Sequence, residues 1–319
     1  MDLLQRILCT VAIAIVSLHQ ADAAPIQLRV CAWNVESGDA DTDHISERIK
    51  KQEKVDVWGL SEVQNDDDAE QFETAAEAGE SADFKRIVGT TGGSDRLVII
   101  YNADRLKLDS TEELHPMNIG GNVRAPLVAT FSGKTTGKKF LFVVNHLYRG
   151  SASGRHTQSE RLNSWARQQA LPVITVGDFN YDFHFVTGDV DHDEGFDLLC
   201  EDGVFSWVRP ETLVPTNASG HKSVLDFVFV SGDAAGWTYK SSILQEQGDF
   251  PDDAVKSDHR PIDAIFTFDS QSPSAPVPAE AAASDGAEHD SAALLQRIEK
   301  LEKELEELRG LLEQSNDDE

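Results

Sequence analysis

Between residues 27 and 268, short apolar runs rich in Val, Ile and Phe alternate with turn residues and a few amphipathic stretches. The runs LRVCAWNV, VDVWGLSEV, RLVIIYN, PLVATFS, KFLFVVNHL, PVITVGDFN, SVLDFVFV and PIDAIFTF are predicted strands. Several are apolar on both faces, as expected of central strands covered from two sides. Helical spacing of apolar residues predicts helices at 43–54, 67–78 and 157–170. The alternation implies one α/β domain over residues 25–268, with two packed sheets and helices outside.

The two ends break this pattern. Residues 1–23 place Arg6 before an apolar stretch and end on Ala21-Asp22-Ala23, the form of an export signal. The stretch is shorter than the roughly 20 residues that span a bilayer, and no later segment is long and apolar enough to do so. The expected location is therefore secreted or periplasmic. Residues 269–290 turn to Ser, Pro, Ala and acids, the composition of a disordered linker. Over 291–314, Leu294, Ile298, Leu301, Leu305, Leu308 and Leu312 form the seam of a coiled-coil helix. Such a stripe needs a partner, and self-association into a homo-oligomer is expected ahead of docking on the domain or on another protein.

Net charge is −28 and is not confined to the tail, which disfavours tight, processive nucleic-acid binding; it equally suits solubility in salty surroundings. With Cys9 in the leader, Cys31 and Cys200 permit one disulfide without requiring it, and two inert thiols are the expectation. The acidic loops 39–43 and 189–194 lack the glycine and distal glutamate of an EF-hand, so Ca²⁺ is a weaker expectation there than solvation. Asn217-Ala218-Ser219 is a glycosylation sequon.

Candidate chemistry lies at strand ends, where α/β sheets usually place their sites. Asn34 follows RVCAW, Glu62 follows VWGLS, and Asn145-His146 ends KFLFVV. Asp178 and Asn180 follow Gly177 in VITVGDFN. Asp226 sits among apolar neighbours in SVLDFVFV, where a carboxylate is costly without a partner, and Ser257-Asp258-His259 precedes a strand. Taken singly, each has a structural alternative, such as a helix cap, a solvated loop acid or a core histidine.

In this order WNVES, SEVQ, VVNHL, GDFN, LDFVFV and SDHRP resemble the endonuclease/exonuclease/phosphatase superfamily, over the whole globular part. The resemblance implies a four-layer α/β sandwich of two mixed sheets and hydrolysis of a phosphoester by in-line attack of water. It implies Glu62 as principal Mg²⁺ ligand with Asn34 beside it, and Asp258 near the metal or supporting His259; Mn²⁺ is a possible substitute. It further implies Asp178 as base, Asn180 on a phosphate oxygen, and His259 as donor to phosphate with Asp226 as its partner. His146 matches a second histidine of the deoxyribonuclease and sphingomyelinase branches that assists the leaving group or the phosphate. Arg124 and Tyr101 resemble residues near phosphate in some branches; a surface salt bridge and a core aromatic are their alternatives.

Loops, not the fold, choose the substrate. Arg149, Arg155, His156 and Arg161 form either an anion-gathering patch or an ordinary loop and helix. A nuclease-like phosphodiesterase with a nucleic-acid substrate is the first expectation. A sphingomyelinase-type enzyme, with residues 181–185 as a weak membrane hairpin, a phosphomonoesterase and a non-catalytic scaffold are the alternatives.

Overall fold

The computed structural model describes residues 26–121, 123–185, 191–218, 223–249 and 255–268. The chain divides into two units, Met1–Ser274 and Ala275–Glu319, and every described residue lies in the first. The export signal, the linker and the coiled-coil seam fall outside the described residues, as does Ser219 of the sequon.

The elements are β1 Ile26–Asn34, α1 Thr42–Lys50, β2 Val57–Val63, α2 Asp66–Glu80, β3 Phe84–Val88, β4 Arg96–Asn102, β5 Leu106–Glu113, β6 Leu127–Gly133, β7 Lys139–His146, α3 Ala152–Ala166, β8 Val173–Phe183, α4 Glu194–Cys200, β9 Phe205–Trp207, β10 Val224–Ser231, β11 Thr238–Ile243 and β12 Ile262–Phe268, with short 3-10 turns between some of them. They form two six-stranded sheets, ordered β11-β12-β1-β2-β4-β3 and β5-β6-β7-β8-β10-β9. Each is mixed: β1 runs parallel to β2 and β7 to β8, and the other pairs are antiparallel.

All eight apolar runs are strands. The four strands that the pattern did not predict, β3, β5, β9 and β11, are the four sheet edges. An edge has one neighbour and one free flank, so FKRIV, LKLDSTEE and TYKSSI carry charges and hydroxyls that a central strand does not tolerate.

Burial follows the layers. Val30, Ala32, Phe142, Val144 and Val176 belong to one continuous core, while Cys31, Trp33 and Trp58 form a second with Ile45 of α1 and Phe72 of α2. Gly59 lets the sheets approach, because a Cβ there would lie 2.6 Å from Val176 Cγ2 and 2.9 Å from Val144 Cγ2. Cys31 and Cys200 are both free thiols, and burial pushes Cys200 up to about 12 and Cys31 higher still.

Helix starts are set by caps. Asp41, Asn65, Ser151 and Asp193 each accept a backbone N–H of the first turn of α1, α2, α3 and α4. Helix α3 begins at Ala152, earlier than the expected 157, because its buried first turns are held by Arg155, Gln158 and Ser159 rather than by apolar residues. The weak membrane hairpin is excluded: Tyr181 and Phe183 are buried, Tyr181 and Ser159 hydrogen-bond through their hydroxyls at 2.7 Å, and both rings join an aromatic cluster with Phe196 and Phe227. No helix among the described residues is long and apolar enough to cross a membrane.

Candidate active site

One end of both sheets gathers nearly all the chemistry. Strands β1, β2 and β7 arrive there with their C-terminal ends, carrying Asn34, Glu62 and His146, and the longer β8 passes through with Asp178 at its middle. The antiparallel partners β4, β10 and β12 leave from the same end, so Asp95, Asp226 and His259, at or just before their starts, arrive beside them. The pairing of Asp226 with Asp178 and of His146 with Asp178 shows the convergence directly.

Local backbone conformation aims these side chains. Glu62 has φ 58° at an irregularity of the β2–β4 ladder, and Asn180 has φ 54° near one between β8 and β10. Left-handed residues at such bulges re-aim a side chain out of the strand alternation, at a cost that strained functional sites typically carry. Gly177 has φ 130°, and a Cβ there would lie 2.0 Å from Asn145 O, so Asp178 depends on a glycine before it.

Two histidine–carboxylate pairs face Asp178. His259 Nδ1 lies 2.7 Å from Asp226 Oδ2 and its Nε2 3.7 Å from Asp178 Oδ2. His146 Nε2 lies 3.5 Å from the same Asp178 oxygen, and its Nδ1 3.5 Å from Asp95 Oδ1. Burial disfavours a charge on His259, but Asp226, Asp178 and Asp258 outweigh it and push the imidazole up to about 10. Burial lifts Asp226 to about 6 against the opposing pull of His259, so at neutral pH the two form an ion pair. Asp95 is also opposed by burial, yet His146 and Arg124 hold its carboxyl below the ordinary value.

The remaining polar groups fix these positions. Asn34 Nδ2 donates to Glu62 Oε1 at 2.7 Å and to Asp178 Oδ2 at 3.3 Å. Asp178 Oδ1 accepts the Asn180 backbone N–H at 2.9 Å, and Asn180 Nδ2 donates to Leu147 O. The segment before β12 is clamped to β1: Ser257 Oγ donates to Asn34 O, His259 N donates to Ser257 Oγ, and Trp33 Nε1 donates to His259 O.

A cavity of about 260 Å³ opens here, lined among others by Glu62, Asp178, Asn180, His259, Arg149 and Asn217. Arg124 joins the second pair, with Nη2 2.8 Å from Asp95 Oδ2 and 2.7 Å from His146 Nε2. Asp258 lies 3.6 Å from His259 Nε2 and accepts from Asn217 at 3.0 Å. Tyr101 is the one candidate that the fold sends elsewhere. It pairs with Val57 at the other end of β2, about 16 Å of strand from Glu62, and its ring packs 4.9 Å from Phe131.

Asp95 and Asn217 escaped the sequence reading. A rule that looks after strands overlooks an acid placed before one, and only the antiparallel β2–β4 pairing brings Asp95 to the site. Among the described residues, Glu62, Asp95 and His146 place ligand atoms within 4.8 Å of one another. Two carboxylates and one imidazole, with the Asn34 amide alongside and no thiolate, fit a divalent cation of hard or borderline character. In the acidic loops, Asp41 is spent on capping α1, and Asp193 caps α4 while pairing with Arg155.

A sequence model of the Endonuclease/Exonuclease/phosphatase family matches residues 31–259. No curated protein sequence matches the chain. Among solved structures, an endonuclease/exonuclease/phosphatase family protein from Bacteroides thetaiotaomicron superposes with TM-score 0.61 at 18% identity, covering 77% of this chain and 100% of that one. A mannosyl-6-phosphatase from the same organism gives 0.56 at 18% identity, over 76% of this chain and 100% of that one. TDP2 from D. rerio, complexed with a single strand DNA product, gives 0.59 at 16% identity, over 75% and 98%. At these identities the likeness is one of fold.

Proposed function

Because the chain belongs to the Endonuclease/Exonuclease/phosphatase family of phosphoester hydrolases, we propose that it is a secreted, Mg²⁺-dependent phosphodiesterase of nuclease type. The observation that carries this reading is the convergence of two histidines, each with its own carboxylate, on one oxygen of Asp178. Cleaving a diester with a poor leaving group calls for a base for water, a donor to the phosphate and a proton for the departing oxygen. Asp178 and the two histidines supply one group for each task.

Asp178, held by Asn180 N–H and Asn34, orients water and accepts its proton. His259, kept protonated by buried Asp226, donates to a phosphate oxygen and stabilises the charge that builds there. Asn180 lines the cavity and adds a hydrogen bond to the phosphate. His146, 3.5 Å from Asp178, is assigned the proton of the leaving oxygen, and Arg124 beside it the second cation at the phosphate. Glu62 and Asn34 would hold the metal, with the Asp95 carboxylate within reach and Asp258 near His259, which leaves His146 to the leaving group. A bound divalent cation would supply charge neutralisation at the phosphate. The carboxylate-rich set favours Mg²⁺, with Mn²⁺ as substitute.

The test is a screen of plasmid DNA, RNA, sphingomyelin, bis-p-nitrophenyl phosphate and p-nitrophenyl phosphate, with and without chelator, against Asp178→Ala. Metal-dependent diester cleavage lost in the variant is expected; turnover of the monoester alone would replace the phosphodiesterase reading by a phosphomonoesterase. Export and assembly rest on the residues at the ends of the chain. A mature N-terminus near Ala24 and a larger sedimenting mass for the full chain than for one ending near Ser270 are the expected results. An uncleaved leader, or equal oligomeric states, would remove these two parts.

A further inference from the structure

We propose that Arg149 binds a second phosphate of the substrate, adjacent to the phosphoester that is cleaved, and so selects substrates carrying two neighbouring phosphates. The proposal rests on the phosphodiesterase reading of the site and adds a substrate class to it.

Arg149 lines the cavity that also contains Asp178 and His259, and it is exposed. It differs from every other arginine among the described residues. Those are engaged by a carboxylate, a backbone carbonyl or an aromatic ring. Among the described residues, the Arg149 side chain has none of these partners. In a chain of net charge −28, leaving one guanidinium unspent while acids are plentiful calls for an explanation. A mouth that must admit an anion provides one, since a planar guanidinium is suited to phosphate.

The loop that carries Arg149 is held from below. Arg155 Nη1 donates to Tyr148 O at 2.8 Å and to Arg149 O at 3.3 Å, and Gln158 Oε1 accepts Tyr148 N–H at 2.8 Å. Arg155 and Gln158 are both buried, and Asp193 neutralises Arg155. The buried arginine therefore positions backbone, while the exposed one keeps its charge for a ligand. At about 260 Å³ the cavity lies below the roughly 300–1,000 Å³ of pockets that enclose whole ligands. It takes the reacting phosphate and what is attached directly to it, so a group bound by Arg149 is a close neighbour of the scissile bond. That neighbour is either the next phosphodiester of an oligonucleotide or a terminal phosphomonoester.

Inhibition of bis-p-nitrophenyl phosphate hydrolysis by thymidine 5′-phosphate, thymidine 3′,5′-bisphosphate and the dinucleotide pTpT tests this, using the full chain. The two-phosphate probes are expected to bind wild type about tenfold or more tightly than the single-phosphate one, the size of a charge-assisted contact. Arg149→Gln is expected to bring that ratio close to one, and Arg149→Lys to restore part of it. Preference for the bisphosphate alone supports the proposal with a terminal monoester as the second group; preference for pTpT alone supports it with a chain phosphate. A wild-type ratio near one, or an undiminished ratio in Arg149→Gln, overturns it. If bis-p-nitrophenyl phosphate is not hydrolysed, it is the reading of the site that fails, and calorimetric titration of the same probes still decides the role of Arg149.

Discussion

The two histidine pairs differ in how firmly their carboxylates are committed. Asp226 is wholly buried and has its 2.7 Å contact with His259, which is itself buried. Asp95 is 37% exposed and shared: Arg124 takes the 2.8 Å contact while His146 stands at 3.5 Å. A committed buried partner fixes one charge state and one ring orientation, whereas a shared, partly exposed one holds its ring less tightly. The first pair therefore suits a permanent donor to the phosphate and the second a group that gives its proton to the leaving oxygen.

The sharpest break comes at the common centre. Asp178→Ala and His259→Ala are each expected to lower kcat by about 10²–10⁴-fold with the circular dichroism spectrum unchanged. Wild-type turnover by either would end the mechanism. His146→Ala is expected to cost less, about 10²-fold, on a substrate with a poor leaving group. Asp95→Asn should cost less again, about tenfold or below, because Arg124 keeps its own contact with the ring; a loss equal to that of His146→Ala would show the two pairs to be equally tight.

Stability separates the pairs further. Asp226→Asn takes the nearest counter-ion from a buried imidazole and leaves only Asp178 at 3.7 Å and Asp258 at 3.6 Å, which should destabilise the metal-free protein by about 3 kcal/mol at neutral pH. The pH dependence has a definite sign. The folded His259 is raised from 6.5 to about 10, so its stabilisation is fully present below 6.5 and lost as pH rises through 10. Buried Asp226, raised from 3.8 to about 6, binds its proton better folded than unfolded; that contribution is present below 3.8 and lost as pH rises through 6. Between pH 7 and 10.5 the melting temperature of metal-free wild type should therefore fall more than that of Asp226→Asn; parallel falls would contradict the assigned ion pair. The smallest expected effect is at Tyr101, where Tyr101→Phe should change kcat by less than about twofold, since the hydroxyl is remote from the site.

These pairs also mark what the sequence made legible. Strands covered on both faces must be apolar, and every such run was readable; β3, β5, β9 and β11 have a free flank and carry no such mark. Asn34, Glu62 and His146 lie at strand ends, where the strand pattern already points, whereas Asp178 lies in the middle of β8 and was marked by the glycine before it; each still had a structural alternative until the motifs were taken as a set. His259 and Asp226 gained meaning only from the set of motifs around them. Asp95 had neither advantage, since its place depends on an antiparallel pairing that local pattern does not encode. Tyr101 shows the reverse: a residue of suitable type lies on a site-forming strand, but at its wrong end. The first turn of α3 was hidden because buried Arg155, Gln158 and Ser159 look like surface residues in a hydropathy pattern.

The division of labour between the two histidines is measured most directly by leaving-group dependence. Rates for wild type, His146→Ala and His259→Ala would be compared on bis-p-nitrophenyl phosphate, whose leaving group departs without a proton, and on an unactivated dinucleotide, whose leaving group needs one. The account predicts that the deficit of His146→Ala shrinks by about tenfold or more on the activated diester, while that of His259→Ala stays the same on both. Equal deficits for His146→Ala on the two substrates, or a deficit of His259→Ala that collapses on the activated one, would contradict it.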